Sequence, residues 1–338
     1  MGRRFGPSAA VNAPEPDLAR FLHENGLARA GEPGTWIPLS GGVSSDIWRV
    51  ETSAGVFCVK RARARLQVAA EWEAPVNRNA YEWAYMQIAA AIAPGSVPQP
   101  IAHDARRGLF AMSWLAPERH VLWKRALLDG HADSAFAASV GDLLGRIHAA
   151  TARDASIPSR FRTDVNFNAL RIDPYLMQTA RVHTDLASQL AHIARTTFET
   201  RRVLVHGDVS PKNILIGALG PVLLDAEAAW FGDPAFDVAF CLTHLVVKAR
   251  VVARARVALL ECVDRFAAAY FAHVDWELQA DVERRAAALL PALALARVDG
   301  KSPLEYLSED ERGSLRVTAR RALESGPGTL EQAVQLLS

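Results

Sequence analysis

The sequence predicts an α+β protein of two lobes, a small β-rich one over residues 17–115 and a larger α-helical one over residues 116–338. Three observations carry this. Strand-like runs separated by short Gly/Ser turns crowd into the first third of the chain. Helical periodicity dominates after Leu115. A length of 338 residues is too long for one small core and suits two.

The elements follow in order. Residues 1–16 hold two arginines but no apolar run after them, so they read as a flexible tail rather than a signal peptide. Leu18, Phe21 and Leu22 then recur at helical spacing, and Gly26 ends that helix. Trp36 and Ile37 open a first strand, Ile47, Trp48 and Val50 a second, and Val56 to Lys60 a third across a Ser-Ala-Gly turn. Residues from about Leu66 to Ile92 have helical periodicity, and "APGSVPQP" stops them. "GLFAMSWL" is a further short strand, and "APERH" leads away from it as a connector. Beyond it, "SAFAASVGDLLGRIHAATA" and "TDLASQLAHIARTTF" are amphipathic helices, with "FRTDVNFNALRIDPYL" irregular between them. Two short strand pairs follow, and three helical segments fill Val251 to Ser338.

Composition narrows the function classes. Half the residues are hydrophobic, and 38 Lys+Arg nearly balance 37 Asp+Glu, so no global field recruits nucleic acid or an anionic membrane. Cys58, Cys241 and Cys262 each sit in apolar runs with no metal or disulfide spacing, which suits small buried hydrophobes and a reducing compartment. The longest apolar run, around Ala286 to Ala296, is shorter than a membrane span. A cytoplasmic protein is expected.

The chemistry concentrates in "VLVHGDVSPKNILI", where a strand delivers His206, Asp208, Lys212 and Asn213 on one short connection. The pattern H-x-D-x-x-x-x-N matches the catalytic-loop template of phosphoryl transfer, an Asp at the nucleophile's proton and an Asn as metal ligand. Taken alone, a polar hairpin loop explains it as well. Twelve residues after Asn213, "PVLLDAEAAW" places Asp225 at the end of an apolar strand, one Gly-turn hairpin later. Glu227 would share its side if that strand continues, giving two carboxylates for a divalent cation. Upstream, "LSGGVSSDIWRV" offers Ser40, Gly41, Gly42, Val43, Ser44 and Ser45 as a loop whose N–H groups suit phosphates. By itself a plain turn is the better reading. Lys60, in the apolar strand "GVFCVK", needs a partner if buried. Glu82 is the chosen one, with Glu71 and Glu73 as rivals, and a snorkelling surface lysine beside Arg61 is the bland alternative.

Other features are read more plainly. "DGKS" at Asp299 to Ser302 fails as a phosphate loop because Leu295 stands where Gly is required. "KRARAR" reads as a solvated strand edge. His148 packs on a helix face, His206 holds the loop, and Asp237 either caps the helix that follows or braces the loop.

Together Lys60, Glu82, "HGDVSPKN" and "LLDAEAAWFGDPAFDVA" resemble the aminoglycoside phosphotransferase and choline kinase family of the protein-kinase-like superfamily, from about Trp36 to Val247. Asp225-x-Glu227 and "EWEAPVNRNAYE" look most like its methylthioribose kinase branch, which often lacks the loop Asn kept here as Asn213. The resemblance implies a two-lobed protein-kinase-like fold with ATP and Mg2+ as cofactors. It implies Asp208 as catalytic base or orienter, and Asn213, Asp225 and Glu227 as metal ligands. Lys60 and the Ser40 to Ser45 loop would hold phosphates, with Glu82 fixing Lys60, and Met112, Ser113 and Leu115 would border adenine. Acceptor contacts would come from Arg171, Asp173, Tyr175, Arg297 and Asp299. Lys212 has no family role and is a candidate for a phosphate or an acidic acceptor. The branch also raises a homodimer as one arrangement.

Ser210 stands where protein kinases carry Lys, and no activation segment separates Asp225 from "GDPAFD", which points to a small-molecule hydroxyl acceptor. Acids and bases balance after Arg250, so no acidic cleft for a polycationic aminoglycoside is visible. A sugar-like or other neutral or anionic metabolite fits better. A nucleotide-binding pseudokinase is the alternative, and the presence of Asp208, Asp225 and Lys60 speaks against it.

Overall fold

The structure is a computed structural model, and it describes residues 15–39, 45–63, 75 and 77–338. Ser40, Gly41, Gly42, Val43, Ser44, Glu71 and Glu73, like most of the tail, lie outside the described residues. The chain divides into two compact units. One takes the described residues up to Gln87 with Pro98–Ala116, and the other takes Ile88–Val97 with Pro117–Ser338.

The first unit opens with helix α1 (Pro16–Glu24), where Pro16 at the first position and Asp17 in the first turn suit a helix N-terminus. Strands β1 (Thr35–Pro38), β2 (Ser45–Thr52) and β3 (Gly55–Ala62) form successive antiparallel pairs. Helix α2 (Arg78–Ile92) follows, then β4 (Pro100–Asp104) and β5 (Leu109–Ser113). The sheet order is β1-β2-β3-β5-β4. β4 was not read from the sequence, because Pro100 and the short run after it look like loop. Leu18, Phe21 and Leu22 of α1 pack with Trp36, Val50, Val59 and Leu109 of the sheet. Each such side chain contributes about 1.5–3 kcal/mol by leaving water. Lys60 therefore stands on a strand flanked by Ile47 and Phe110, and Cys58 and Val59 before it along β3 are core.

The second unit begins with strand β6 (Val121–Leu122) and helices α3 (Trp123–Leu128) and α4 (Ser134–Ala152). Asp133 caps α4, accepting from Ala135 N at 2.9 Å and Phe136 N at 3.1 Å. Short helices α5 (Ile157–Arg160) and α6 (Asp164–Phe167) lead into a ten-residue π-helix, Asn168–Met177. This is the segment expected to be irregular. Its Asn, Asp and Pro composition resembles a loop, and Pro174 within it lacks the N–H that an α-helix interior uses. Helices α7 (Gln178–Val182) and α8 (Ala187–Glu199) follow.

Strand β7 (Val203–Val205) is fully buried, β8 (Ile214–Gly217) and β9 (Gly220–Leu223) form the expected hairpin, and β10 (Trp230–Gly232) pairs back onto β7. β6 adds a third strand beside β8. The fold closes with α9 (Pro234–Val251), α10 (Arg256–Phe271), α11 (Gln279–Asp299), α12 (Glu309–Ser325) and α13 (Leu330–Leu337), one helix more after Val251 than the apolar pattern suggested. α9 is buried along nearly its whole length, and α11 carries the long apolar run as a core helix. No helix among the described residues is long and apolar enough to cross a membrane. The three cysteines are free and buried, and burial pushes the Cys58 and Cys262 thiols up to about 12.

Candidate active site

In the first unit, Lys60 is 2% exposed and Glu82 is 3% exposed. Lys60 Nζ donates to Glu82 Oε1 at 2.8 Å. A lysine buried on a β-strand is costly without such a partner, so the pair answers the question its burial raises. Of the phosphate loop, only Ser45 is described, and it is buried at the start of β2. Met112 and Ser113 lie at the end of β5, opposite Cys58 and Phe57. Ser113 donates its N–H to Gln99 O at 2.9 Å, while its hydroxyl accepts from Gln99 N at 2.9 Å. Leu115 lies just beyond β5.

In the second unit the catalytic-loop residues are built around a glycine and two buried acids. Gly207 has φ +79, and a Cβ there would meet Ala228 O at 2.7 Å. Only glycine suits both the left-handed backbone and the close approach, which explains the H-G-D sequence. Asp237, on the first turns of α9, accepts from His206 N at 2.7 Å and Gly207 N at 2.8 Å. Asp237 thus braces the loop, and the α9 cap is Asp233, which accepts from Ala235 N at 3.0 Å. His148 of α4 lies beside Asp237, its Nε2 3.4 Å from Oδ2 without a hydrogen bond, and its Nδ1 meets Tyr270 OH at 3.0 Å. His206 Nδ1 accepts from Asp208 N at 3.2 Å. Burial lowers the His206 pKa, so the ring stays neutral and its nitrogen stays an acceptor.

Asp208 is 3% exposed. Its Oδ2 faces Arg171 Nη2 at 3.0 Å and Lys212 Nζ at 3.1 Å. Burial alone would push this carboxyl up, but the Lys212 and Arg171 charges outweigh it and hold Asp208 far below the usual carboxylate range. Among the described residues its Oδ1 meets only Ser210 Oγ, at 3.4 Å. Arg171 comes from the π-helix and also donates to the Gly207 and Leu170 carbonyls. Of the residues read as acceptor contacts, then, Arg171 and Lys212 gather on Asp208 itself.

Asn213 Nδ2 donates to Asp208 O at 3.2 Å, which turns its amide oxygen outward from that bond. Leu224 N donates to Asn213 O at 2.8 Å, so Asp225 lies beside the loop. β9 ends at Leu223, and Asp225 has φ 66. The strand does not continue to Glu227, so strand alternation is not what relates the two acids. A non-glycine residue in the left-handed region costs about 1–3 kcal/mol and is concentrated at functional sites. Among the described residues no group of three or more His, Cys, Asp or Glu could hold a metal. The expected donors, Asn213, Asp225 and Glu227, would be one amide and two carboxylates, all oxygen, a set that suits a magnesium ion keeping waters and substrate phosphates.

The remaining acceptor candidates separate. Tyr175 OH accepts from Arg297 Nη1 at 3.0 Å, and the Arg171 guanidinium lies 5.9 Å from the Tyr175 ring centre. Asp173 is engaged by Arg181 at 2.6 Å, and Asp299 by Arg316 at 2.7 Å and His183 at 2.9 Å. Within the described part of "KRARAR", Arg61 and Arg63 pair with Asp46, and Arg61 also with Glu15. Sequence reasoning missed Lys248 and His244. Both are buried in α9, and their only signal was a lysine and a histidine in an otherwise apolar helix.

The chain is 19% identical over 229 residues to methylthioribose kinase 2 of Oryza sativa subsp. japonica, a match covering 60% of this chain. The match spans about half of that relative, 53% of its length. An amicoumacin kinase in complex with AMP-PNP, Ca2+ and Ami superposes with a TM-score of 0.56 at 15% identity, covering 89% of this chain and 91% of the other. An ethanolamine kinase of Plasmodium vivax gives 0.53 at 11% identity, covering 94% and 85%. These likenesses establish a protein-kinase-like fold. A family model described as "Phosphotransferase enzyme family" matches residues 35–277, the span that holds the buried Lys60–Glu82 pair and the Asp208 loop, and the chain belongs to that family.

Proposed function

We propose that the protein is an ATP- and magnesium-dependent kinase that moves the γ-phosphate onto a hydroxyl of a small molecule. The observation that carries this is Asp208, a buried carboxylate kept ionised by Arg171 and Lys212, with one oxygen left to a single long contact. An acceptor hydroxyl donating to Oδ1 is oriented for in-line attack. So strongly acidic a group is a weak base, and phosphoryl transfer tolerates that, because the transition state is loose and the proton leaves late. Positioning is then the larger part of its work.

Asn213, Asp225 and Glu227 would hold the cation, which when bound neutralises charge on the phosphate oxygens. Lys60, fixed by Glu82, would meet the nucleotide phosphates, and the Ser40 to Ser45 loop would cover them. The Ser113 N–H is already donated to Gln99, so an N–H for the adenine edge falls to Leu115. The bound AMP-PNP and Ca2+ of the amicoumacin kinase similar in fold support a nucleotide and a divalent ion.

Purified protein is to be screened for ATP consumption with sugars, hydroxy acids, amino alcohols, aminoglycosides and macrolides. Asp208→Asn should reduce acceptor-dependent turnover by about 10²–10⁴-fold while nucleotide binding persists. Unchanged turnover in that variant would contradict the reading.

A further inference from the structure

α9 carries Phe240, His244 and Lys248 four residues apart, one stripe along a buried helix. At one end the stripe meets the Asp208 neighbourhood, since the Phe240 ring is 5.7 Å from Tyr175 and 6.0 Å from the Arg171 guanidinium. His244 follows, its ring 5.4 Å from that of Phe240. At the other end Lys248, 1% exposed, reaches among the described residues only the His244 carbonyl and the Tyr306 hydroxyl, both at 3.4 Å. Its ammonium also lies 5.0 Å from the Tyr306 ring centre, and Lys124 lies 5.6 Å from the same ring. Arg297, 5% exposed, comes from α11 and is held by Tyr175 and Ser302, each at 3.0 Å.

The cluster is short of negative charge. Among the described residues, no Asp or Glu pairs with Lys248 or Arg297. Glu305 is nearby, but it is exposed and pairs with Lys124. Arg297 Nε and His244 Nε2 are both buried without a hydrogen-bond partner. Buried ammonium and guanidinium groups normally take a carboxylate, and an orphaned buried donor costs free energy. Burial first, and then Lys124 and Arg297, push the Lys248 pKa down to about 7, as expected where cations lack a counter-ion.

We propose that Lys248, Arg297 and His244 form the subsite for an anionic group of the phosphate acceptor, so that the substrate is a hydroxylated carboxylate or phosphate ester rather than an amino sugar. The stripe runs from this subsite to Tyr175 and to Arg171, the partner of Asp208, and on this proposal the acceptor places its anion at Lys248 and its hydroxyl at Oδ1. The inference rests on the kinase reading and narrows its substrate class.

The test uses wild-type protein and Lys248→Met, a substitution of similar length that suits an apolar site. Sugar phosphates, hydroxy acids, neutral sugars and amino alcohols are compared for ATP-dependent turnover. The expected result is that anionic alcohols are preferred, and that Lys248→Met raises their KM about tenfold or more with little change in kcat, as for a lost charged contact. Preference for sugar phosphates assigns the group as phosphate, and preference for hydroxy acids as carboxylate. Preference for neutral or cationic alcohols, or an unchanged KM in the variant, overturns the proposal. If no alcohol of any charge is phosphorylated, the kinase reading has failed and the subsite is judged by binding. Glycerate or glycerol 3-phosphate must then raise the thermal midpoint of wild type but not of Lys248→Met, and the absence of that shift overturns it. Arg297→Lys keeps the charge but loses the planar fork, and should retain only part of the preference.

Discussion

On the proposed reading, Asp208 has two jobs that pull against each other. It must stay charged in a buried place, and it must leave an oxygen for a hydroxyl. Arg171 and Lys212 on Oδ2 satisfy the first and leave Oδ1 for the second. Removing Arg171 leaves a buried carboxylate with only the half-exposed Lys212 beside it. Arg171→Met should therefore destabilise the protein near the low end of the about 3–5 kcal/mol seen when one partner of a buried pair is lost. Because the folded Asp208 pKa lies below its unfolded value, this stability is fully present above about pH 4 and fades as acid protonates the folded carboxyl. Urea unfolding at pH 7 and pH 3 should show the wild-type advantage shrinking at the lower pH. Gly207 gives a second residue-scale outcome. Gly207→Ala brings a Cβ onto Ala228 O in a left-handed backbone, so it should cost more than about 1 kcal/mol and lower activity together with stability. An alanine variant as stable as wild type would contradict the account of H-G-D.

At the scale of elements, α9 both braces and recognises. Asp237 holds the catalytic loop by two backbone N–H groups, and Lys248 waits three turns further along. With a folded pKa of about 7 against about 10.4 when unfolded, Lys248 binds fewer protons in the folded protein between those values. Stability then rises with pH across that window and is lowest below it. Burial sets this window first and the Lys124 and Arg297 charges add to it, while Glu305 opposes them and His244 and Tyr306 pack around the group. Thermal unfolding from pH 7 to pH 10 should show the rise in wild type and a flatter profile in Lys248→Met.

Sequence legibility also divides by element. The strands around Trp36, Ile47 and Val59 were readable because alternation and turn residues agree. The hairpin from Ile214 to Leu223 was readable for the same reason. The π-helix was not, since Asn168, Asp173 and Pro174 carry the composition of a loop. Nor was the α9 stripe, because burial of Lys248 depends on α11 and on the segment around Tyr306, which are distant in sequence.

At the scale of the whole molecule, each unit carries a buried charge that is matched within that unit. The Lys60–Glu82 pair gives the first unit a cation inside its sheet, and the Asp208 cluster gives the second a carboxylate held ionised. Glu82→Gln should loosen Lys60 and raise the KM for ATP more than it lowers kcat, checked by initial rates at saturating acceptor. The residues expected to distinguish an enzyme from a nucleotide-binding relic are all present: Lys60 on β3, Asp208 in the loop after β7 and Asp225 just beyond β9. The most direct test is 31P NMR of wild type and Asp208→Asn incubated with ATP, Mg2+ and the alcohol panel. A phosphomonoester resonance should grow with ADP only when an alcohol is present, and should vanish in Asp208→Asn while that variant still binds nucleotide. Equal product from the variant, or release of inorganic phosphate alone whatever alcohol is added, would contradict the account.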